Sequence, residues 1–420
     1  MSTKHVEPTE PYRGVRDFYP HEWSTLTAIF ETLRKNVTLW GYEEYNASPL
    51  ERAELYESKT SEEIVSEQTY TFTDRGERRV TLRPEMTPTF ARMLAGKRRE
   101  VPFPVRWFSI PNLFRYERPQ RGRLREHYQL NVDLAGIEGT EADIEIIEIA
   151  AGILKAFGAE DKDFIIRVSS RTLLSAACKA ANLGDARARE YIRLLDRKAK
   201  MTAEEFKAES SALSPVSPLD LIVNKDATIM PEKQELEHIL EELAKRGISN
   251  AVFDPTTTRG FDYYTGMVFE VFDTDTRNPR SLFGGGRYDN LVSLFGGDSI
   301  ACVGFGMGDV TLSDFLETHD LTPRTNDAPF LYVGTPSKDD VPAAQLFAKS
   351  LRDSGVSVLV HIGGKSLKDQ IKEAVRREIT YFIVFGSNET NSDSLTVKKL
   401  SENTEEIVSK ENLSEYLTRD

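Results

Sequence analysis

The chain has 420 residues, 39% hydrophobic and 29% charged, with a formal net charge of −13 at pH 7. That length suits two or three domains with real cores, and the negative balance argues against non-specific coating of nucleic acid without excluding a local basic groove. No apolar run reaches the roughly 18–20 residues that span a bilayer, the start MSTKHVEPTEPYRG lacks an apolar leader, and Cys178 and Cys302 lack CxxC spacing, so a reducing cytoplasm is expected, with no disulfide framework, cysteine zinc site or membrane partner.

Trp23, Leu26, Ile29, Phe30, Leu33 and Val37 recur at helical spacing, which predicts a helix over 21–40 ended by Gly41. YEEYNASPLE follows as a short extended stretch closed at Pro49. Residues 70–82 read as a hairpin turning at Asp74-Arg75-Gly76. VRWFSIPNLFRYE and EHYQLNVDLAG read as paired strands joined by the loop RPQRGRLR, and 141–157 as a strongly periodic helix. From about 169 to 246 the chain turns polar, alanine-rich and helical. Strand signals resume at AVFDPT and continue through TRGFDYYTGMVFEVF, SLFGGGRYDNLVSLF and ACVGFGMGD. Strands, helices and strands again predict an antiparallel α+β domain over 1–317 with a helical insertion at about 169–246. THDLTPRTNDA, 318–328, reads as a linker. Beyond it, 329–420 alternates strand and helix and predicts a small α/β domain with a partly parallel sheet.

The segment FRYERPQRGRLREHYQLNVDLAG concentrates charge. Arg115, Arg118, Arg121, Arg123 and Arg125 surround a hairpin loop with Glu117 among them. An arginine-rich turn alone is more often a solvated loop. Alternation places Arg115 and Glu117 on one face of the incoming strand, and Gln129 and Asp133 on one face of the returning strand. Paired polar residues fed by a basic loop suit a polyanion such as a nucleoside triphosphate.

This segment resembles motif 2 of the class II aminoacyl-tRNA synthetases, in the form the histidyl family uses. PYRGVRDFYP is similar to that family's N-terminal signature, and WGYEEYNASPLE to motif 1, with Pro49 as its proline. TLRPEMTPTFAR resembles the strand and turn that contact the substrate amino group. TRGFDYYTG and LFGGGRYDNL resemble the two histidine-specific motifs. The resemblance runs over essentially the whole chain, with 329–420 similar to the anticodon-binding domain. It implies a histidine–tRNA ligase: a class II catalytic domain that activates histidine with ATP and Mg²⁺ and charges tRNA(His), as a homodimer built on motif 1. No dedicated metal cage is visible, as expected for a cation held mainly by phosphate.

The resemblance also implies roles. Arg259 contacts the histidine carboxylate and the α-phosphate, and Arg115 the α-phosphate, as the catalytic pair. Glu85 and Thr87 take the ammonium, Gln129 bridges the polar end of the amino acid, and Tyr264 and Asp133 read the imidazole beside the wall residue Tyr263. Glu117 meets the adenine amino group, Arg123 the distal phosphates, and His127 stands where the family stacks a phenylalanine on adenine. Blander readings exist for several of these: sheet-edge packing for the tyrosines, an ion pair with Asp262 for Arg259, a helix cap for Glu85, and a tight turn for GGGRYDNL. Two positions depart from the pattern. Asp133 replaces the usual glutamate, and Thr311 stands where motif 3 has an arginine on the γ-phosphate, a loss on the order of 2–3 kcal/mol unless Arg123 or metal substitutes. The alternative is a non-catalytic histidine sensor, a regulatory subunit of histidine biosynthesis, which lacks the C-terminal domain. A synthetase-like RNA-binding regulator is a third.

Overall fold

Leu26, Ile29, Phe30, Leu33 and Val37 are all buried on one side of a helix that spans Pro20–Thr38, with its proline in the first turn, where no amide partner is lost. The computed structural model describes residues 9–57, 68–198, 201–224, 229–259, 263–325 and 330–417. The chain divides into Met1–Pro323 and Arg324–Asp420, a break within the polar segment 318–328.

The first unit is built on a nine-stranded sheet. Its strands run across in the order Glu43–Glu44, Val105–Ser109, Glu126–Ala135, Cys302–Gly308, Ser281–Arg287, Met267–Asp273, Phe164–Ser170 and Ala251–Phe253, with Asn112–Phe114 pairing onto Glu126–Ala135. The two outermost pairings are parallel and the rest antiparallel. The helix Thr140–Ala156, in which Ile144, Ile146, Ile147, Ile149 and Ile153 are fully buried, joins Leu130, Val132 and Leu134 in the main core. A smaller three-stranded sheet, Leu50–Arg52, Arg79–Leu82 and Tyr70–Thr73, holds the 70–82 hairpin. Its turn forms where Asp74 Oδ1 accepts from the amides of Gly76 and Arg78, at 2.8 and 2.9 Å.

Two features of this unit differ from the sequence reading. FIIRVSS, Phe164–Ser170, is a strand next to Met267–Asp273, so the insertion begins at Arg171. Ser170 ends that strand and caps the first helix of the insert, its hydroxyl accepting from the Leu173 amide. The insert then follows as helices Arg171–Ala180, Asp185–Arg197, Ala203–Leu213, Pro218–Val223 and Met230–Lys245. The strand entering the arginine loop stops at Phe114. Arg115 N still donates to Arg125 O at 2.9 Å, but Glu117 N turns back onto Arg115 O at 2.8 Å, so alternation ends and Arg115 and Glu117 share no strand face.

The second unit has a mixed five-stranded sheet in the order Val358–Val360, Leu331–Gly334, Tyr381–Val384, Ser394–Lys399 and Thr404–Ser409. The first three strands are parallel and the last two antiparallel; the polar edge strand TEEIVS carries no apolar alternation and was not anticipated. Helices Val341–Asp353 and Leu367–Arg376 supply the crossovers.

Candidate active site

The strand Glu126–Ala135 is the axis of the site. Its even-numbered residues Leu130, Val132 and Leu134 enter the core, while His127, Gln129, Asn131 and Asp133 lie on the opposite face. The neighbouring strand Cys302–Gly308 pairs Gly304 with Asp133, Gly306 with Asn131 and Gly308 with Gln129. A Cβ at Gly304 would strike the Asp133 carboxylate, and one at Gly306 the Gln129 amide. The glycines of GFGMG therefore form a side-chain-free floor across which the polar stripe reaches.

A cavity of about 90 Å³ opens over this floor. Glu85, Thr87, Arg115, Gln129, Arg259, Tyr263 and Tyr264 all line it, though they come from well-separated stretches of sequence. Glu85 is buried, and the Tyr263 hydroxyl donates to its Oε2 at 3.1 Å. The helix that follows, Thr87–Lys97, has Met86 as its N-cap residue and no side-chain cap, so Glu85 does not cap it. The Tyr263 and Tyr264 rings stand 4.9 Å apart, and the Arg259 guanidinium lies 5.9 Å from the Tyr264 ring centroid. Its Nη1 is 3.6 Å from Glu270 Oε1. Its Nε is buried with no hydrogen-bond partner among the described residues. Asp262, its alternative partner from sequence, lies outside the described residues. The glycines of GGGRYDNL sit inside the strand Ser281–Arg287 rather than at a turn: a side chain at Gly284 would collide with the Arg259 guanidinium.

Asp133 is not among the residues lining this cavity; it is 2% exposed and lies behind Gly304 and Tyr288, which do line it. Its Oδ1 accepts from the Tyr288 hydroxyl, while Oδ2 is buried with no partner among the described residues. Burial pushes its carboxyl up to about 7, against the opposing pull of the Tyr288 bond. A half-satisfied buried carboxyl is costly, and it is poised to accept one more N–H. Arg287 does not face the cavity: it pairs with Asp143 at 3.0 Å and donates to the carbonyls of Ile137 and Gly139.

Glu117, Arg123 and His127 are not among the residues lining this cavity. Arg123 Nη1 lies 3.3 Å from Glu117 Oε2, with over half of the arginine side chain exposed. His127 continues the polar stripe next to Gly308, and burial, aided by Arg115 and Arg16, pushes its imidazole down to about 3, so it is neutral near pH 7. Thr311 lies elsewhere again. Its hydroxyl donates to Leu282 O at 2.6 Å, and it lines a second cavity of about 340 Å³ with Gln120, Arg121, Gly122 and Arg280. Arg280 Nη2 donates to Gln120 Oε1 at 2.9 Å, and Arg121 stands 3.7 Å from Asp314. The cations beside Thr311 are thus Arg121, Arg277 and Arg280, whereas Arg123 is turned to Glu117. The N-terminal signature is tied to the same region: Arg16 pairs with Asp309 at 2.7 Å, and Asp309 Oδ1 accepts from Tyr128 N at 2.9 Å.

Asn131, Gly304, Gly306 and Glu270 were missed in the sequence. Asn131 lies at period two between Gln129 and Asp133, the glycines repeat at the same period, and Glu270 is the one carboxylate within MVFEVF. Those spacings carried the signal.

The fold is that of the class II aminoacyl-tRNA synthetases. The histidyl-tRNA synthetase of Nostoc sp. PCC 7120 shares it with a TM-score of 0.82 at 20% identity, over 99% of this chain and 100% of that one. In sequence, the model of the family described as histidyl-tRNA synthetase matches residues 14–309, and that of the anticodon binding domain matches 331–420. The histidine–tRNA ligase of Leptospira biflexa serovar Patoc is 42% identical over 94% of this chain and 93% of its own length. That of Thermoplasma volcanium is 35% identical over 98% of each. The chain belongs to the histidyl-tRNA synthetase family. A sensor subunit was expected to lack the C-terminal domain, and the match over 331–420 goes against that reading.

Proposed function

We propose that the cavity over the glycine floor binds histidine and that this protein is a histidine–tRNA ligase working there. Glu85 and Thr87 take the ammonium, with Gln129 beside them. Asp133 Oδ2 accepts an imidazole N–H and Tyr264 meets the other side of the ring, with Tyr263 as the wall. The observation that carries the reading is the buried Asp133 Oδ2 without a partner among the described residues, behind Gly304 and Tyr288 of the pocket that holds Arg259. The histidine carboxylate attacks the α-phosphorus of ATP, pyrophosphate leaves, and Arg115 and Arg259 stabilise the charge on the equatorial oxygens. Planar, permanently charged guanidinium groups suit that task. The terminal hydroxyl of tRNA(His) then attacks the adenylate carbonyl and AMP departs. Histidine-dependent pyrophosphate exchange tests the reading; a purified protein that binds histidine without catalysing exchange overturns it.

ATP brings Mg²⁺ as part of the substrate. Among the described residues no group of three carboxylate, histidine or cysteine side chains is placed to hold a metal, and an ion brought with ATP would be coordinated mainly by phosphate. Glu117 and His127 serve adenine in this proposal, Arg123 leaving Glu117 for the distal phosphates as ATP binds. Arg121 and Arg280 take over the charge that Thr311 lacks. Arg280→Ala and Arg121→Ala are each expected to raise the KM for ATP several-fold with the KM for histidine unchanged; equal KM values in wild type and both variants sink the substitution.

The second unit is proposed to hold the anticodon of tRNA(His). Lys368 is exposed there, while Lys365 and Lys372 pair at the surface with Glu373 and Asp369. A chain ending at Pro323 should retain most adenylate formation and lose most tRNA charging, and the full chain's tRNA affinity should fall with salt. Equal tRNA affinity with and without residues 324–420 would contradict the assignment. We also propose a cytoplasmic homodimer. Exposed Leu39, Trp40, Leu50 and Phe72 in and beside motif 1 support self-association, and no helix among the described residues is long and apolar enough to cross a membrane.

A further inference from the structure

We infer that Asp196 and Arg171, both in the helical insertion, are positioning residues for Arg259, so that the insertion sets the rate of histidine activation. The inference rests on the role given to Arg259 above.

Arg259 has a backbone φ of +48°, a region that residues other than glycine seldom occupy. Such a conformation persists only where the surroundings fix it. Two contacts from the insertion do so. Arg171, the first residue of the helix Arg171–Ala180, donates from Nη2 to the Arg259 carbonyl at 2.5 Å, and its own amide donates to Gly266 O at 2.8 Å. One residue earlier in the loop, the Thr258 hydroxyl donates to Asp196 Oδ1 at 3.1 Å, with Thr258 only 3% exposed. Asp196 stands on the helix Asp185–Arg197, which is anchored by buried Tyr191, Leu194 and Leu195. The near end of the loop is fixed independently on the central sheet, where Asp254 N donates to Val168 O at 3.0 Å. The insertion therefore acts on the end of the loop that carries the guanidinium.

Asp196 is exposed and belongs to no core cluster, so its loss leaves packing untouched. Its effect travels through Thr258 to the placement of Arg259, and a displacement of about 1 Å in a positioned group costs up to roughly 100-fold in rate. Pyrophosphate exchange in the full-length protein tests this. Asp196→Ala is expected to lower kcat by about 10-fold or more, with the KM for histidine and ATP within about twofold, the ground-state contacts being intact. Asp196→Asn, whose oxygen still accepts the Thr258 hydroxyl, should recover most of the rate. In an Arg259→Ala background, Asp196→Ala should cause no further loss, since the group it positions is gone. A wild-type kcat in Asp196→Ala, an equal fold-loss in both backgrounds, or no rescue by Asn each overturns the inference alone. A wild-type chain without histidine-dependent exchange overturns the synthetase reading and this inference with it.

Discussion

Arg259→Ala should reduce histidine-dependent pyrophosphate exchange by at least about 100-fold while leaving the far-ultraviolet circular dichroism spectrum unchanged. Arg259 belongs to no core cluster, and its guanidinium lies over Gly284, which has no side chain to compete for the space. In the proposed role, the substitution removes a preorganised charge at the point where negative charge grows during phosphoryl transfer. Glu270, now beside Arg259 at 3.6 Å, would then stand without that counter-charge in a site that must accept a triphosphate. Both kcat and kcat/KM should fall together, the pattern of an interaction made in the transition state. A rate within a few-fold of wild type would end the role assigned to TRGFDYYTG.

The second large effect is expected from Asp133→Asn, which should weaken catalysis and strengthen the fold. The new amide keeps an oxygen for the Tyr288 hydroxyl but presents N–H where Asp133 Oδ2 offers an acceptor, so imidazole binding meets a donor. Sites that read a polar group in this way discriminate strongly, and kcat/KM for histidine should drop by roughly 100-fold or more. Stability should move the other way. The Asp133 carboxyl is raised from 3.8 to about 7 on folding, so the folded chain holds this proton more tightly than the unfolded chain. That contribution is complete below about pH 4 and is lost as pH rises through about 7, with a ceiling on the order of 4 kcal/mol. Asp133→Asn has no such proton to lose. Its thermal midpoint should therefore exceed that of wild type at pH 8, with the gap closing near pH 4. Parallel pH profiles for the two proteins would contradict the burial argument.

Much of this was legible in the sequence because the signals were periodic. The helix Pro20–Thr38 announced itself through apolar spacing, and the Gln129 and Asp133 pair through alternation along one strand. The strand Phe164–Ser170 was passed over because it lies between two helical signals, and its partner, Met267–Asp273, comes only after the whole helical insertion. Long-range pairing leaves no local trace. The arginine loop failed for another reason. Alternation was extended past Phe114, yet the backbone turns at Glu117, and once it turns, the facing of Arg115 and Glu117 is decided by turn geometry. Resemblance pointed to Glu85, Thr87, Arg115, Gln129, Arg259, Tyr263 and Tyr264, which the fold brings to one cavity, and to Glu117, Arg123, His127 and Asp133, which do not line it, but it said nothing of the contacts between the helical insertion and the Arg259 loop. Those depend on side chains of Asp196 and Thr258 that are ordinary polar residues when read along the chain.

The alternating strand Glu126–Ala135 has a consequence for how this protein tolerates change. One ribbon of backbone holds Leu130, Val132 and Leu134 in the core and Gln129, Asn131 and Asp133 on the glycine-floor side proposed to bind histidine, and a slip of one residue would exchange the two sets. An insertion or deletion there would at once bury the reading groups and expose the oily ones, and the chain would fail to fold before it could misread its substrate. Accuracy at this strand is thus guarded by proteostasis: a register error yields no protein rather than an error-prone one.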